Sequence, residues 1–270
     1  MRICVVNITP IPEAYLADSI RTVEACCAQA LLPGTELVFR APTVGCVTLP
    51  QYLEDFRNPW FQHLITHEVI RTLIAADREG FDALVVNCFD DPGVSEARAR
   101  LNTPVFGLCE PTFHYACQLG ARLGALVPDM PGQVAFVEGQ IAALGLAGRM
   151  IANGVRAESK RFTESFAEAL SNPGAMIDRL SVQARRLVDD GADVVVIACG
   201  GLGQVCGTQG FHALEHRGAV VPVVNPLTTA VKTAETMIQM QRALGTPIPS
   251  RVHGVRPSVE DIKRIEAGFG

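Results

Sequence analysis

The sequence predicts an α/β fold of two similar halves, each a parallel sheet of about four strands flanked by helices. Short, fully apolar runs alternate with longer amphipathic stretches along the 270 residues, the pattern of strands buried on both faces beneath covering helices. A nine-residue phrase also occurs twice, as Gly80-Phe-Asp-Ala-Leu-Val-Val-Asn-Cys88 and Gly191-Ala-Asp-Val-Val-Val-Ile-Ala-Cys199, with the copies 111 residues apart at both ends. A fixed offset marks an internal duplication. Each copy is followed by a proline-led strand, Pro104-Val-Phe-Gly107 and Pro222-Val-Val-Asn225, and Met1-Arg-Ile-Cys-Val-Val-Asn7 has its counterpart in Ala121-Arg-Leu-Gly-Ala-Leu-Val127.

Strands are expected at about residues 2–8, 36–40, 83–88, 104–109, 124–128, 149–154, 193–198 and 221–225, where apolar and β-branched residues run without helical period. Turn signals set the clearest helices. Asp91-Pro92-Gly93 precedes a helix from Val94 to Leu101, Glu110-Pro111 opens one through Leu119, and Asn225-Pro226 opens the longest, Leu227 to Leu244, which stops at Gly245 and Pro247. Further helices are expected at about 13–31, 62–79, 132–145, 162–170 and 175–190.

Composition narrows the partners. Hydrophobic residues make up 48% and charged residues 19%, a globular balance, and the net charge of −5 disfavours nucleic acid or an anionic membrane, both of which need a basic footprint. A small-molecule partner is expected. The nine cysteines (Cys4, Cys26, Cys27, Cys46, Cys88, Cys109, Cys117, Cys199 and Cys206) are odd in number, include an adjacent pair and often lie in apolar runs. Reduced thiols suit that pattern better than a disulfide framework. The N-terminal apolar run meets Thr9, Pro10 and Pro12 too soon for a signal or membrane segment, so a cytoplasmic location is expected.

Ligands of open parallel sheets bind beyond the carboxyl ends of the strands, where Cys88 and Cys199 both lie. The segments that follow, Phe89-Asp-Asp-Pro-Gly93 and Gly200-Gly-Leu-Gly203, can turn backbone N–H groups toward an oxyanion, and a helix N-terminus lowers a thiol's pKa toward neutrality. A lone strand-end cysteine is usually a small hydrophobe. Two in register are a different matter, because thiols facing each other across one carbon can remove a proton from one face and deliver one to the other.

These residues resemble the aspartate/glutamate/hydantoin racemase superfamily, and within it the hydantoin and allantoin racemase branch. The likeness is carried by Gly80 through Cys88 with Phe89-Asp-Asp-Pro-Gly93, Glu96-Ala-Arg98, Pro104-Val-Phe-Gly107 with Glu110, and Gly191 through Gly201, and it covers about residues 1–245. It implies two flavodoxin-like lobes with the active site in the cleft between them. It implies a discontinuous first lobe, residues 1–102 plus 219–270, around a second lobe of residues 103–218. It also implies a cofactor-independent, metal-free two-base mechanism with Cys88 and Cys199 as catalytic residues. Asn7, Thr9, Phe89, Asp90, Glu110, Gly200 and Gly201 are the expected substrate-binding residues, with the backbone amides of Phe89, Asp90, Gly200 and Gly201 and the Asn7 side chain holding an enolate.

A 5-substituted hydantoin or allantoin-like ureide is the expected substrate. Alternatives are an amino-acid racemase, a maleate-type isomerase, an arylmalonate-type decarboxylase, or a non-catalytic small-ligand sensor on the same scaffold. The family's Asn-Pro-Asn-Thr segment reads Asn7-Ile8-Thr9-Pro10 here, Gly200-Gly201-Leu202 stands where Ala-Gly-Met is common, and Pro128-Asp129-Met130 replaces an expected hydroxyl residue. Monomer and homo-oligomer both stay open.

Other candidates have plainer readings. His63 and His67, and His212 and His216, are four apart as on helix faces, and neither pair has a third metal ligand in order. Of Asp90 and Asp91, one is expected to cap the following helix and the other to be solvated. Asp82 and Asp193 precede their strands and read as turn or packing residues. Arg156, Lys160 and Arg161 read as a solvated loop or helix start. Cys109, Cys117 and Cys206 read as structural thiols, with Cys206 a potential complication in labelling.

Overall fold

A computed structural model describes residues 1–45, 55–250 and 257–268; Cys46 lies outside them. The first half contains β1 (Arg2–Val6), α1 (Glu13–Cys27), β2 (Glu36–Arg40), α2 (Pro59–Asp77), β3 (Ala83–Val86), α3 (Val94–Arg100), β4 (Val105–Phe106) and α4 (Cys109–Leu119). The second contains β5 (Leu123–Asp129), α5 (Gln133–Ala143), β6 (Met150–Arg161), α6 (Phe162–Ala169), α7 (Pro173–Asp189), β7 (Val194–Ile197), α8 (Gly200–Thr208), β8 (Ala213–His216), β9 (Ala219–Val224) and α9 (Pro226–Leu244), and α10 (Val259–Gly268) follows. The strands form a parallel sheet of order β2-β1-β3-β4 and a second sheet of order β6-β5-β7-β9-β8, in which only β8 is antiparallel. The first four strands of the second order match the first sheet one for one, and β8 is an addition at its edge.

Equivalent hydrogen bonds accompany the match. Asp82 accepts from the Arg2 N–H at 2.7 Å and its own N–H donates to the Arg2 carbonyl at 2.9 Å. In the second copy Asp193 accepts from Arg122 N–H at 2.9 Å and from Ala121 N–H at 3.0 Å, and its N–H donates to the Arg122 carbonyl at 2.9 Å. Each repeat aspartate therefore ties the start of its strand to the start of the neighbour, setting the register of β3 on β1 and β7 on β5. Gly80 and Gly191, with φ of +72° and +102°, make the left-handed step into each copy. At the far ends Asn87 N–H donates to Val6 O and Ala198 N–H to Leu126 O, both at 2.8 Å, so Cys88 and Cys199 leave their sheets at equivalent points.

The lobe boundaries differ from the expected ones. Val105 and Phe106 pair with Leu84 and Val85, so the Pro104 strand stays in the first sheet, and Val223 and Val224 pair with Val195 and Val196 in the second. The chain crosses one step later. Helix α4 leaves β4 and packs on β7 and β9, while α9 leaves β9 and packs on β3 and β1, so the lobes exchange a helix. Buried Phe113 and Ala116 on α4, and Leu227, Ala230, Val231 and Ala234 on α9, join one apolar cluster spanning both lobes. Fully burying a phenylalanine, leucine or valine side chain contributes about 1.5–3 kcal/mol, so the exchange rather than a linker joins the halves.

Two elements differ in kind from expectation. Ala213 to His216, just after His212, form the edge of a hairpin, with Ala213 opposite Pro222 and His216 opposite Ala219, rather than a helix. Arg156, Lys160 and Arg161 lie on the long strand β6, where Arg156 pairs with Asp190 at 2.5 Å and Lys160 with Glu168 at 3.0 Å. Asp193→Ala should lower unfolding free energy by about 1–2 kcal/mol, because it leaves two strand-end N–H groups without their acceptor. A lower urea midpoint at unchanged slope would show it.

Candidate active site

The two thiols occupy matching strand ends with different turns. Cys199 is the N-cap of α8, and its sulfur accepts from the backbone N–H groups of Leu202 and Gly201. The Cys88 sulfur accepts from the Asp90 N–H. Both pack on one apolar cluster that includes Val6, Val86, Leu126, Ile197, Phe162 and Leu202. The lobes meet between them: a Cβ built at Gly200 would lie 3.2 Å from both the backbone and the side-chain oxygen of Asn87. Phe162 and Phe166 wall the Cys199 turn, lying 3.3 and 3.2 Å from a Cβ built at Gly201.

Burial decides the charge state. It pushes the Cys199 thiol up to about 11 against the lowering effect of the Leu202 and Gly201 N–H groups, and it pushes Cys88 well above the ordinary thiol range. The Asp90 carboxylate raises both further. The expected lowering by the helix N-terminus is thus present but outweighed, since desolvation disfavours the thiolate more than two N–H donors favour it. The thiols sense each other as well, through the unfavourable effect of Cys199 on the ionisation of Cys88.

Asp90 is not solvated. Its carboxylate pairs with Arg57 at 2.7 Å, with the aspartate side chain 4% and the arginine 16% exposed. Arg57 also donates to Gln133 and stacks 4.0 Å over Phe136, both on α5 of the second lobe. Arg57 therefore clamps the lobes together beside Cys88. Asp91, not the cap of the helix that follows it, accepts from Leu108 N–H at 2.6 Å and Cys109 N–H at 3.2 Å and so caps α4. Burial pushes Asp91 up to about 7.

The other expected binding residues divide. Asn7 and Thr9 sit together, but the Asn7 amide donates to Thr9 O at 3.0 Å and Thr9 Oγ1 at 3.3 Å, which uses the donors an enolate would need. The Phe89 ring is turned away into the core, edge-on to Phe113 at 5.8 Å between centroids. Asp90 and Gly201 point their N–H groups at sulfur rather than at an enolate position. The first helical bond of α8 runs from Gly203 N–H to Cys199 O at 2.9 Å, which places the Gly200 N–H in the unpaired first turn. Glu110 pairs with Arg98 at 3.0 Å and lines a separate cavity of about 220 Å³ with Asp91, Ser95 and Gln140.

The histidines and remaining cysteines lie elsewhere. His63 stacks on Trp60 and His216 pairs with Asp189 at 2.6 Å. Among the described residues no three His, Cys, Asp or Glu side chains converge as a metal site. Cys206 is fully buried, and burial raises its thiol. Among the described residues Cys26 is a thiol held low, at about 7, chiefly by its hydrogen bond with Cys27 and then by Thr228 and Asn225, and it too is buried. Arg57, Gln133, Phe162 and Phe166 lie outside the motifs; Asn87 lies within the repeated phrase but was not singled out, its signal being that the second copy has Ala198 in its place.

Two parallel-sheet lobes of matching strand order are the build of two-lobed α/β racemase folds. The family model described as Asp/Glu/Hydantoin racemase matches residues 17–235, and the chain belongs to that family. It is an isomerase of the racemase type. A hydantoin racemase of Pseudomonas sp. (strain NS671) is 26% identical over 241 residues, covering 89% of this chain and 87% of that protein. Among solved structures, allantoin racemase from Pseudomonas fluorescens superposes with a TM-score of 0.71 at 25% identity, covering 96% of this chain and 97% of that one. Allantoin racemase from Klebsiella pneumoniae agrees in fold, with a TM-score of 0.72 at 22% identity over 94% of this chain and 92% of that one.

Arg57→Ala should destabilise the protein by about 3–5 kcal/mol at neutral pH, because it strands a buried carboxylate. Asp90 already has its pKa raised by burial, so loss of Arg57 raises it further, and the stability tied to its protonated form declines as pH rises. Melting temperatures from pH 4 to 8 should therefore show the deficit shrinking toward acid, and Asp90→Asn in the same background should recover most of it.

Proposed function

We propose that this racemase inverts the ring carbon of a 5-substituted hydantoin or allantoin-like cyclic ureide by proton transfer between Cys88 and Cys199. The observation that carries the reading is the equivalence of the two thiols: each leaves a central strand one residue after the same backbone bond, Asn87 to Val6 and Ala198 to Leu126. The relatives named for hydantoin and allantoin support the substrate class.

In one direction the Cys88 thiolate takes the proton from C5, and the electron pair moves into the adjacent carbonyl as an enolate. The Cys199 thiol then gives its proton to the opposite face, leaving Cys88 as thiol and Cys199 as thiolate. The other enantiomer runs the roles in reverse. The N–H donors on each sulfur stabilise whichever thiolate is present. The Gly200 N–H, in the unpaired first turn of α8, is a backbone donor for the enolate oxygen.

Cys88→Ala and Cys199→Ala should each lower racemisation by about a hundredfold or more, the usual worth of a positioned acid or base. Each variant should still exchange the C5 proton in deuterium oxide, with one enantiomer only and opposite in the two variants, as proton NMR reads directly. Full racemisation by either would defeat the two-thiol reading. The pH profile gives a second check. Because Cys199 is raised to about 11 and Cys88 is also raised, the thiolate form grows with alkalinity, and kcat/KM should climb through pH 9 rather than level off near neutrality. Asp90→Asn removes a charge that opposes both ionisations, so its profile should move toward lower pH.

A further inference from the structure

We propose that Asn87 is a substrate-binding residue whose side-chain oxygen accepts the ring N–H beside the reacting carbon, which makes this chain selective for cyclic ureides with that nitrogen unsubstituted. The inference rests on the proposed function and extends it to a residue of the repeated phrase that has no counterpart amide in the second copy.

Asn87 is 6% exposed, and its Oδ1 is buried without a hydrogen-bond partner among the described residues. A buried amide oxygen left unpaired loses its water and gains nothing in return, so such a group invites a donor from outside the fold. Its position selects the donor. Asn87 immediately precedes Cys88, and its Oδ1 lies 3.2 Å from a Cβ built at Gly200, the residue after Cys199. The amide therefore stands between the two sulfur-bearing turns. A carbon held between those sulfurs has its ring neighbours within reach of that oxygen, and in a hydantoin one of them is an N–H.

Strand geometry does not require the amide. Ala198 holds the equivalent place in the second copy and makes the same backbone bond at the same 2.8 Å, so a methyl group suffices to end such a strand. Gly200 contributes from the other side, because any side chain there would press on the Asn87 oxygen.

The test compares kcat/KM for a 5-substituted hydantoin with its N1-methyl and N3-methyl analogues, in the wild type and in Asn87→Ala. The wild type should prefer the N1–H compound over the N1-methyl analogue by at least about tenfold, because a site that hydrogen-bonds an N–H rejects the analogue lacking it. In Asn87→Ala that ratio should fall toward one, while the N3-methyl ratio stays as in the wild type. Retention of the N1 preference by Asn87→Ala, or its absence from the wild type, overturns the proposal. If Asn87→Ala does not fold, as judged by its melting transition, the wild-type N1 ratio and that of Asn87→Leu decide. Absence of hydantoin racemisation by the wild type overturns the functional reading and this one with it, whereas racemisation with an unchanged ratio overturns this one alone.

Discussion

The approach of two strand ends across the lobe interface is the constraint on which the site depends. It exists because position 200 carries no side chain, so the Asn87 backbone and amide can come against the first turn of α8. The same closeness buries Cys88, half-buries Cys199 and brings the two within electrostatic reach of each other. The exchange of α4 and α9 supports it, since each helix is covalently part of one lobe and packed on the sheet of the other. Opening the cleft widely would therefore strip apolar surface from both helices.

The same dryness shapes the chemistry. In water a thiol at a helix N-terminus would ionise more readily than usual, yet here desolvation wins and raises both sulfurs above the ordinary thiol range. Arg57 keeps the buried Asp90 tolerable and joins it to α5, so the charge beside Cys88 also serves as a bridge between lobes. Breaking a buried pair costs more than the pair itself contributes, which makes this clamp stiff without making it a large source of stability.

Much of the fold was legible in the residues. Duplication, strand positions and the Cys88 and Cys199 strand ends follow from local patterns, because alternating apolar runs and turn residues report on their own neighbourhood. The crossing point was not legible: Pro104-Val-Phe reads the same whether it pairs with β3 or with β5, and only the bonds of Val105 and Phe106 to Leu84 and Val85 decide. His212 to His216 misled for a related reason, since four-residue spacing cannot tell a short edge strand from a helix. The Asn7 amide was expected in the cleft and is occupied by Thr9, a contact made by a local turn that the altered motif does not announce.

By itself the sequence determined the class of fold, the twofold repeat and the two sulfurs, since each is written in contiguous residues whose spacing sets strand, turn and helix start. Only the tertiary structure decided that α4 and α9 change lobes, that Arg57 finds Asp90, and that the Asn87 oxygen faces Gly200. These contacts join residues far apart in the chain, and their energies come from burial and from pairing of polar groups in a dry cleft, quantities that no local stretch of sequence carries.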